Sequence, residues 1–411
     1  MSKKVVLIWF RNDLRLHDNE ILVEAIAKSD LIIPVYCFDP RYYSKNQFNQ
    51  HNTGTNRAKF ILESVKELKD NLQALNSDLM TFVGYPEDIL PGLCTKYAVD
   101  EVYHHREVAS RETQISERVE TALWEIKINL KHFIGHTLFH KEDLPFPIKD
   151  IPDKFNVFRK KIERESTVRD AWETPTKINS PSHLEHTAVP NLNELGYQDH
   201  EIHNLSSELI SGGEESALTK LQLLLDPDYM GEENFTFISP YIAVGALSPI
   251  FVYHQMQKSK VSQNKKKYER LMIKLFWRDY FRFMLKKYPN VFFKINNDFS
   301  EITSAEINEE KLTNWKNGST GEIVVDNLIK ILKEKGNLTY AARRLISKYF
   351  LQEVGSNWLV GAAFFEEYLL DYAPASTYGF WSHLAGSGTS MKENTSPSWQ
   401  EQLKRLNFIK E

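Results

Sequence analysis

The stretch Val5-Val-Leu-Ile-Trp-Phe10, followed at once by Arg11-Asn-Asp-Leu-Arg15, decides how the rest of the chain is interpreted. Six consecutive apolar residues, rich in β-branched and aromatic types, are typical of a strand buried on both faces. The charged residues that follow mark the end of this strand. We therefore predict a first strand of a parallel sheet, with Arg11, Asn12, Asp13 and Arg15 at its carboxyl edge, where such sheets place their ligands.

Residues 1–135 continue this pattern by alternating strand-like and helix-like segments. The strand-like segments are Val5–Phe10, Leu31–Phe38, Leu79–Gly84 and Glu101–His105, and the helical patterns are Asn19–Lys28, Thr55–Leu75, Pro86–Tyr97 and Thr113–Asn129. The alternation predicts a Rossmann-like α/β domain with a parallel sheet and helices on both faces. No Gly-x-Gly-x-x-Gly follows the first strand, so the ordinary dinucleotide fingerprint is absent.

The middle of the chain changes character. His140–Pro152 is rich in proline and acid, and Asn179–Ser211 is polar with little periodicity. We predict a long connector over residues 136–213 that runs over the surface. From residue 214 to residue 411 the pattern is helical, which predicts an all-α domain. The fold class is therefore an α/β domain followed by an all-α domain.

The length and composition of the chain favour a globular protein and give no sign of a membrane protein. A chain of 411 residues is long enough for two hydrophobic cores. Cys37 and Cys94 show no metal-ligand or CxxC spacing, which favours buried free thiols in a reducing compartment. No apolar run reaches the roughly 18 residues of a membrane span, and the start shows no signal-peptide pattern. We expect a cytoplasmic protein without membrane contact, and the thirteen histidines predict no metal site.

Positive charge is concentrated in one part of the chain. The net charge is −4, yet Lys258–Lys294 holds twelve Lys and Arg residues against the acids Glu269 and Asp279. A solvated helix face or a phosphate-bearing partner would both explain this balance. Within it, Lys274-Leu-Phe-Trp-Arg-Asp-Tyr-Phe-Arg-Phe283 sets Trp277 among cations. Aromatic faces beside cations suit a flat cofactor, a nucleobase, or both.

These motifs together resemble a known family. The stretch Val5–Asn19 resembles the opening W-F-R-x-D-L-R-x-x-D-N of photolyases and cryptochromes. The resemblance continues through Gly84–Glu87, His105–Glu107, Thr137–Phe146, Phe155–Lys161, Ser239–Ala243, Leu247–Pro249, Phe276–Phe283, Gly318–Gly321, Tyr368–Tyr372 and Gly379–Trp381. It spans almost the whole chain, and the forms of Thr137–Phe146 and Trp277–Phe283 favour the DASH-type cryptochromes.

The resemblance implies a flavoprotein that holds FAD in the helical domain. Members use blue light to pass an electron from the flavin to a cyclobutane pyrimidine dimer flipped out of DNA, and DASH members act mainly on single strands. An active protein of this kind would be a deoxyribodipyrimidine photo-lyase, a carbon–carbon lyase, with DNA as its partner. Many members also carry an antenna pigment, often 5,10-methenyltetrahydrofolate. We expect a monomer.

Six positions match cofactor-binding residues of the family: Thr236, Ser239, Arg278, Arg343, Asp371 and Thr377. Thr236 and Ser239 fall in the segment that grips the FAD phosphates, and hydroxyls ahead of a helix start suit a pyrophosphate. An N-cap at Ser239 before Pro240 would give the same pattern. Arg343 and Asp371 match an ion pair over the isoalloxazine ring, although a structural salt bridge between two helices is an equal alternative.

Other positions match the electron-transfer and substrate residues. Trp381 and Trp358 correspond to the flavin-proximal and middle members of a tryptophan chain, and Trp277 to the residue that stacks on the flipped base. Lys274 and Arg282 are predicted to contact DNA. The alternative for Trp277 is core packing. Glu107 is the candidate antenna residue, or an ordinary carboxylate at a strand end. The segment Ser300–Glu310 contains no aromatic residue, so the third tryptophan is missing.

The chain also departs from the family pattern. Lys274 stands where members have Glu, Ala373 where they have Asp, Thr377 where they have Asn, and Tyr340-Ala341 where they have Asn-Arg. The segment 226–233 is shortened, and the tail after Gly388 is rewritten. A non-repairing photoreceptor or DNA-binding relative with weak or no FAD is therefore an alternative, and a cofactor-free scaffold is a third.

Overall fold

The computed structural model describes residues 3–203, 205–226, 234–294, 308–355, 357–389 and 397–407. Its amino-terminal part contains a five-stranded sheet in the order β3-β2-β1-β4-β5, in which all neighbouring strands are parallel. The strands are β1 Val5–Phe10, β2 Leu31–Phe38, β3 Met80–Val83, β4 Glu101–His105 and β5 Asn129–Phe133. Every residue of β1 is buried, because this central strand is covered on both faces.

Seventeen α-helices are described. They are α1 Glu20–Lys28, α2 Pro40–Tyr43, α3 Thr55–Ala74, α4 Pro86–Tyr97, α5 Ser110–Glu125, α6 Phe155–Glu165, α7 Asp199–His203, α8 Glu214–Leu225, α9 Ser239–Val244, α10 Pro249–Lys258, α11 Lys265–Lys287, α12 Glu309–Asn317, α13 Ile323–Lys335, α14 Tyr340–Tyr349, α15 Trp358–Tyr368, α16 Pro374–Leu384 and α17 Trp399–Asn407. A π-helical turn, Phe350–Val354, follows α14 directly. Within the described parts of the chain, none of these helices is both long and apolar enough to cross a membrane.

The fifth strand is an element that the sequence pattern did not predict. The helix predicted over Thr113–Asn129 ends at Glu125, and Lys127 then takes a left-handed conformation with φ of 62°. This turn stops the helix and starts β5. The strand lies at the sheet edge and buries only Leu130 and Phe133 fully, so it lacks the continuous apolar run that identified the other strands.

The predicted connector over residues 136–213 is only partly a surface segment. Residues 166–198 are irregular, as expected from their polar composition. Helix α6, however, buries Phe155, Phe158 and Ile162 in the same core as residues of α11. Its apolar residues recur at helical spacing, which is the signal that the prediction overlooked.

The two parts of the molecule share a hydrophobic core. One cluster of buried side chains includes Phe10 and Phe38 from the sheet, Phe158 from α6, and Phe283 from α11. A second cluster, containing Trp315, Trp358 and Trp381, lies entirely within the helical part apart from the half-buried Phe48 that packs against it. Because the first core is continuous, the helices are held in a defined position against the sheet.

Candidate functional site

The helical part contains a cavity of about 330 Å³, a volume within the range of small-molecule sites. Helix α11 contributes Lys274, Trp277, Arg278 and Phe281 to its wall. These residues stand at positions i, i+3, i+4 and i+7, so one face of the helix lines the cavity. Residues of α9, α14, α15 and α16, together with the segments just before α9 and α16, complete the wall, which is mainly apolar with a few charged groups.

The predicted pair of Arg343 and Asp371 lies in this wall. Arg343 Nη1 is 2.9 Å from Asp371 Oδ2, and both side chains are mostly buried. The same carboxylate oxygen accepts a hydrogen bond of 2.7 Å from Ser239 Oγ. The second oxygen, Oδ1, is buried and has no hydrogen-bond partner in the described structure. A buried carboxylate oxygen without a donor is costly, so this site suits a ligand that supplies one.

Arg343 is fixed by two further hydrogen bonds. Its Nε donates to the Leu338 carbonyl over 2.9 Å, and its Nη2 donates to Asn337 Oδ1 over 3.1 Å. The amide of Asn337 in turn donates to the Thr236 carbonyl over 2.9 Å. The guanidinium is thus oriented before any ligand binds, and Thr236 is connected to the ion pair through Asn337.

Ser239 is the first residue of α9 and not its N-cap. Ile238 occupies the N-cap position, and the Ser239 hydroxyl bonds Asp371 instead of the helix backbone. The alternative of a simple capping role is therefore wrong. Thr236, Ser239 and Thr377 line the cavity together with Arg343 and Asp371. Five of the six predicted cofactor-binding residues therefore lie in the wall of the same cavity.

Arg278, the sixth, is enclosed at the same cavity. Its guanidinium donates to the carbonyls of His136 and Ile242, the latter over 3.3 Å. Burial, with repulsion from Arg282, lowers the pKa of Arg278 to about 9. Attraction to Asp279 and Glu107 offsets part of this loss, and an anionic or polar ligand nearby would stabilise the cation further. Ala373, predicted to remove a polar contact, also lies in the wall.

Trp277 lines the cavity but is partly covered by protein. Its ring stacks on Phe155 with the centroids 3.6 Å apart and the planes 9° from parallel. It also contacts Phe281 at 5.1 Å and His383 at 5.7 Å. Phe155 therefore occupies one of the two faces that a nucleobase could use. Phe155 belongs to one of the motifs that resemble the family, but the sequence did not predict its contact with Trp277.

Lys274 lines the cavity one helical turn before Trp277. Its ammonium lies 3.7 Å from the ring centroid of Tyr340, which is a close cation–π contact. Tyr340 belongs to α14, and its ring contacts Phe380 of α16. The two departures Lys274 and Tyr340 are thus neighbours in space, although 66 residues separate them in the sequence.

Glu107 and Arg282 lie elsewhere, and they bond to each other. Arg282 Nη2 donates to Glu107 Oε2 over 2.9 Å, and Asn12 Nδ2 donates to Oε1 over 2.9 Å. Both charged residues are buried. Burial would raise the pKa of Glu107, but contacts with His136 and Arg282 hold this pKa well below its usual range. Arg282 and Glu107 thus form a buried ion pair that joins α11 to the carboxyl edge of the sheet, and their predicted roles toward DNA and an antenna pigment stay predictions.

Asp279 is a buried residue at the interface between α11 and the segment that leaves the sheet. In the sequence it appeared only as one of two acids in a basic segment. It is fully buried and accepts the backbone N–H groups of Leu138 and Phe139 over 3.0 and 2.9 Å. Burial raises its pKa to about 7 despite these bonds. An acid between two arginines, among buried aromatic residues of a basic helix, was the available signal. Its carboxylate ties α11 to the segment that leaves the sheet.

Trp381 lies behind the cavity wall and is separated from the cavity by the ring of Phe365. It is fully buried and contacts Phe365, a residue of the wall, with the centroids 5.1 Å apart. Gly361 packs so closely against the Trp381 ring that a Cβ there would approach it to 2.4 Å. Trp358 is buried one helical turn before Gly361, in the same core cluster. The order of the two tryptophans in an electron-transfer chain stays a prediction.

Three predicted features fall wholly or partly outside the described residues. They are residues 227–233 of the shortened segment 226–233, residues 300–307 of the aromatic-free segment 300–310, and residues 390–396 of the tail after Gly388. Among the residues that are described, no group of three or more His, Cys, Asp or Glu side chains is arranged to hold a metal ion.

Comparisons with known proteins agree with this architecture. Residues 6–178 match the family model DNA photolyase, and residues 271–405 match the model FAD binding domain of DNA photolyase. Cryptochrome DASH of Gloeobacter violaceus is 33% identical over 95% of this chain and 81% of its own length. Cryptochrome DASH of Xenopus laevis is 34% identical over 96% of this chain and 79% of its own length.

Solved structures give the same result. The crystal structure of a cryptochrome from Synechocystis superposes with a TM-score of 0.88 at 30% identity, covering 99% of this chain and 87% of the other. An archaeal photolyase from Sulfolobus tokodaii, solved with two FAD molecules, shares the fold with a TM-score of 0.78 at 24% identity, covering 97% and 87%. The chain belongs to the photolyase/cryptochrome family, carries its FAD-binding domain, and has cryptochrome DASH proteins among its relatives.

Proposed function

We propose that this chain binds FAD in the cavity of the helical part and uses blue light to drive electron transfer there. The observation that carries the proposal is the Arg343–Asp371 pair, which stands in the cavity wall with one buried carboxylate oxygen lacking a partner. Asp371 would hold FAD by accepting a hydrogen bond from it. Arg278, Thr236, Ser239 and Thr377 would complete the contacts.

FAD supplies a ring system that absorbs blue light and exchanges single electrons when bound. The chain's own contribution is orientation, because Asn337 and Leu338 fix the Arg343 guanidinium, and Arg343 and Ser239 fix Asp371. The mainly apolar wall would favour the flat ring system of the cofactor over water in this space. Trp381 would donate electrons from behind Phe365, since its ring is one contact away from the cavity.

Repair of cyclobutane pyrimidine dimers in single-stranded DNA is the reaction proposed for this electron transfer. The support is the family membership, the aromatic wall at Trp277, and the basic segment Lys258–Lys294, which runs from the end of α10 through α11. The proposed partner is DNA, bound by a monomer in the cytoplasm. A folate antenna at Glu107 gains no support, because the protein itself occupies that carboxylate.

A second candidate is a photoreceptor that keeps the flavin without dimer repair. Three observations favour it. Lys274 brings a cation to the cavity wall, Phe155 covers one face of Trp277, and His383 contacts the same ring. A flipped base would have to displace packed rings before it could stack on Trp277.

The first test is the visible absorbance spectrum of protein purified in dim light. We expect the absorbance bands of oxidised flavin, and their complete absence would contradict the proposal. Blue light and a dimer-containing single-stranded oligonucleotide then separate the two candidates. Restored thymines identify a photo-lyase, and flavin photochemistry without restored thymines identifies a photoreceptor. Trp381→Phe is expected to slow photoreduction in either case, with Trp124→Phe, an exposed position, as the matched control.

A further inference from the structure

The carboxylate of Asp371 is carried by a short link, residues 369–373, between the end of α15 at Tyr368 and the start of α16 at Pro374. The link has no helix or strand of its own, so contacts with neighbouring elements must set its position. From this link the side chain of Asp371 reaches Arg343 and Ser239. Whatever holds the link therefore determines where the buried carboxylate points.

One contact with the link comes from the helical part. The N–H of Leu370 donates to the Gly336 carbonyl over 2.8 Å. Gly336 follows α13 with φ of 64°, and a Cβ there would approach Leu370 Cγ to 2.6 Å. Glycine takes this backbone conformation and this close approach without strain. The next residue, Asn337, bonds Arg343, so the same turn holds both the link and the arginine that pairs with Asp371.

A second contact comes from the part of the molecule that contains the sheet. Arg57, in the first turn of α3, is 4% exposed. Its Nη1 donates to the Leu369 carbonyl over 3.3 Å, and its Cζ lies 4.5 Å from the centroid of the Tyr372 ring. Leu369 comes two residues before Asp371, and Tyr372 comes directly after it. One guanidinium therefore contacts the link both before and after the residue that carries the carboxylate.

Arg57 is itself fixed within its own part of the molecule. Its Nη2 donates to the Asn52 carbonyl and, over 3.1 Å, to Thr53 Oγ1. The N–H of Gly54 donates to the Glu367 carbonyl over 2.9 Å, and a Cβ at Gly54 would approach that oxygen to 2.4 Å. The start of α3 thus packs closely against the end of α15, and Arg57 holds the link from a defined position.

The charge of Arg57 is not explained by an ion pair. Among the residues that the structure describes, its hydrogen bonds go to two carbonyl oxygens and one hydroxyl, and not to a carboxylate. Burial lowers the pKa of Arg57, although Glu366 and Tyr372 act in the opposite direction. A buried cation without a bonded carboxylate costs free energy that an apolar residue would not. Stability alone would favour an apolar residue here, whereas the contacts with the link require a guanidinium.

We propose that Arg57 is a positioning residue of the cofactor site, because it holds Leu369 and Tyr372 so that Asp371 presents its carboxylate to Arg343 and the cavity. The inference rests on the proposed function, in which Asp371 accepts a hydrogen bond from FAD. Arg57 is not among the described residues that line this cavity. It acts through Asp371 and not by touching the cofactor, which makes α3 a determinant of flavin affinity.

Replacement of Arg57 in the purified holoprotein tests the proposal. We expect Arg57→Met to weaken flavin binding by about tenfold or more, since a misdirected Asp371 loses a charge-assisted hydrogen bond. Titration of the dialysed protein with FAD measures this affinity. Arg57→Lys should recover part of it, because an ammonium still donates to a carbonyl and lies over a ring. Lys69→Met removes another buried cation of α3, one that bonds Asp78 over 2.6 Å, and as the matched control it should retain the affinity.

A double-mutant comparison separates positioning from general stability. In an Asp371→Asn background, Arg57→Met should weaken flavin binding by no more than about twofold, because the carboxylate through which Arg57 acts is already absent. The same tenfold loss in both backgrounds would overturn the inference. If Arg57→Met does not fold, Tyr372→Leu replaces it, since this variant removes only the ring that the guanidinium contacts.

Hydrogen exchange reports how firmly the link is held without any flavin signal. The Leu370 amide is bonded to Gly336, and we expect its protection to fall by about tenfold more in Arg57→Met than in Lys69→Met. Equal protection in the two variants would overturn the inference. Absence of flavin from the wild-type protein would refute the proposed function instead, and the exchange comparison would still decide whether Arg57 holds the link.

Discussion

The cavity around Asp371 and the sheet edge around Glu107 are both predicted ligand sites, yet they differ in what their carboxylates do. Asp371 has one buried oxygen without a partner and lies in the wall of a cavity. Glu107 is buried with Asn12 on one oxygen and Arg282 on the other. One site has hydrogen-bonding capacity left for a ligand, and the other uses its capacity to join the two parts of the molecule.

The contrast shows why the position of a polar residue in the fold does not by itself define a binding site. Residues at the carboxyl edge of a parallel sheet are expected to face ligands. Here a second group of helices packs against that edge. Asp13 bonds His105 over 2.7 Å, and Arg15 donates to the Gly245 carbonyl over 2.9 Å. Polar residues enclosed by another layer must satisfy each other, because a buried group without a partner is costly.

The largest expected effect comes from breaking the interface pair. Glu107→Gln leaves Arg282 buried without a carboxylate, and loss of one partner of a buried ion pair typically costs about 3 kcal/mol or more. We expect the free energy of unfolding in urea to fall by about this amount, with flavin retention in the folded fraction unchanged. Glu117→Gln, at an exposed position of α5, is the control. Full stability together with loss of a second pigment would instead restore Glu107 to an antenna site.

A smaller effect is expected from the cavity pair. Arg343→Met removes the ion pair of 2.9 Å and leaves Asp371 with Ser239 as its remaining described partner. We expect flavin affinity to fall by about tenfold or more, since a charge-assisted hydrogen bond contributes on this scale. The ratio of flavin to protein absorbance after dialysis measures the change. Arg118→Met provides a surface control. Equal flavin retention in both variants would show that the pair is only a structural salt bridge.

The smallest expected effect, expressed per pH unit, is a pH dependence at Asp279, which links α11 to the segment leaving the sheet. Burial raises its folded-state pKa from 3.8 to about 7, so the folded protein holds a proton that the unfolded chain releases between these values. The stability that this proton contributes is present below pH 3.8 and is lost as the pH rises through about 7. The expected slope is at most about 1.4 kcal/mol per pH unit.

Asp279→Asn removes this titrating group, so its unfolding free energy should vary less between pH 4 and 7 than that of the wild-type protein. Urea unfolding at several pH values measures the slope, which is independent of any constant loss from the altered hydrogen bonds. Asp70→Asn, an exposed position on α3, should keep the wild-type slope. If the unfolding free energy of Asp279→Asn showed the same steep pH dependence, that dependence would belong to other titrating groups.

Several features of the site follow from local sequence. The strands β1, β2 and β4 have the predicted bounds, because each is a short segment of buried β-forming residues that ends in turn residues. The pairing of Arg343 with Asp371 also agrees with the prediction from the family motifs. By contrast, β5 and the buried face of α6 were missed. The polar edge strand β5 carries a weak periodic signal, and the helical spacing of the apolar residues in α6 was overlooked because the surrounding connector is polar.

The sequence by itself determined the family, the two-part architecture, and the residue types of the proposed cofactor site, because these depend on motifs and periodicity along the chain. The tertiary structure decided which polar groups remain available. It enclosed Glu107 with Arg282, covered one face of Trp277 with Phe155, and brought Lys274 onto Tyr340. These contacts join residues far apart in the chain. Local propensity does not encode them, and they form only when the helices pack against one another.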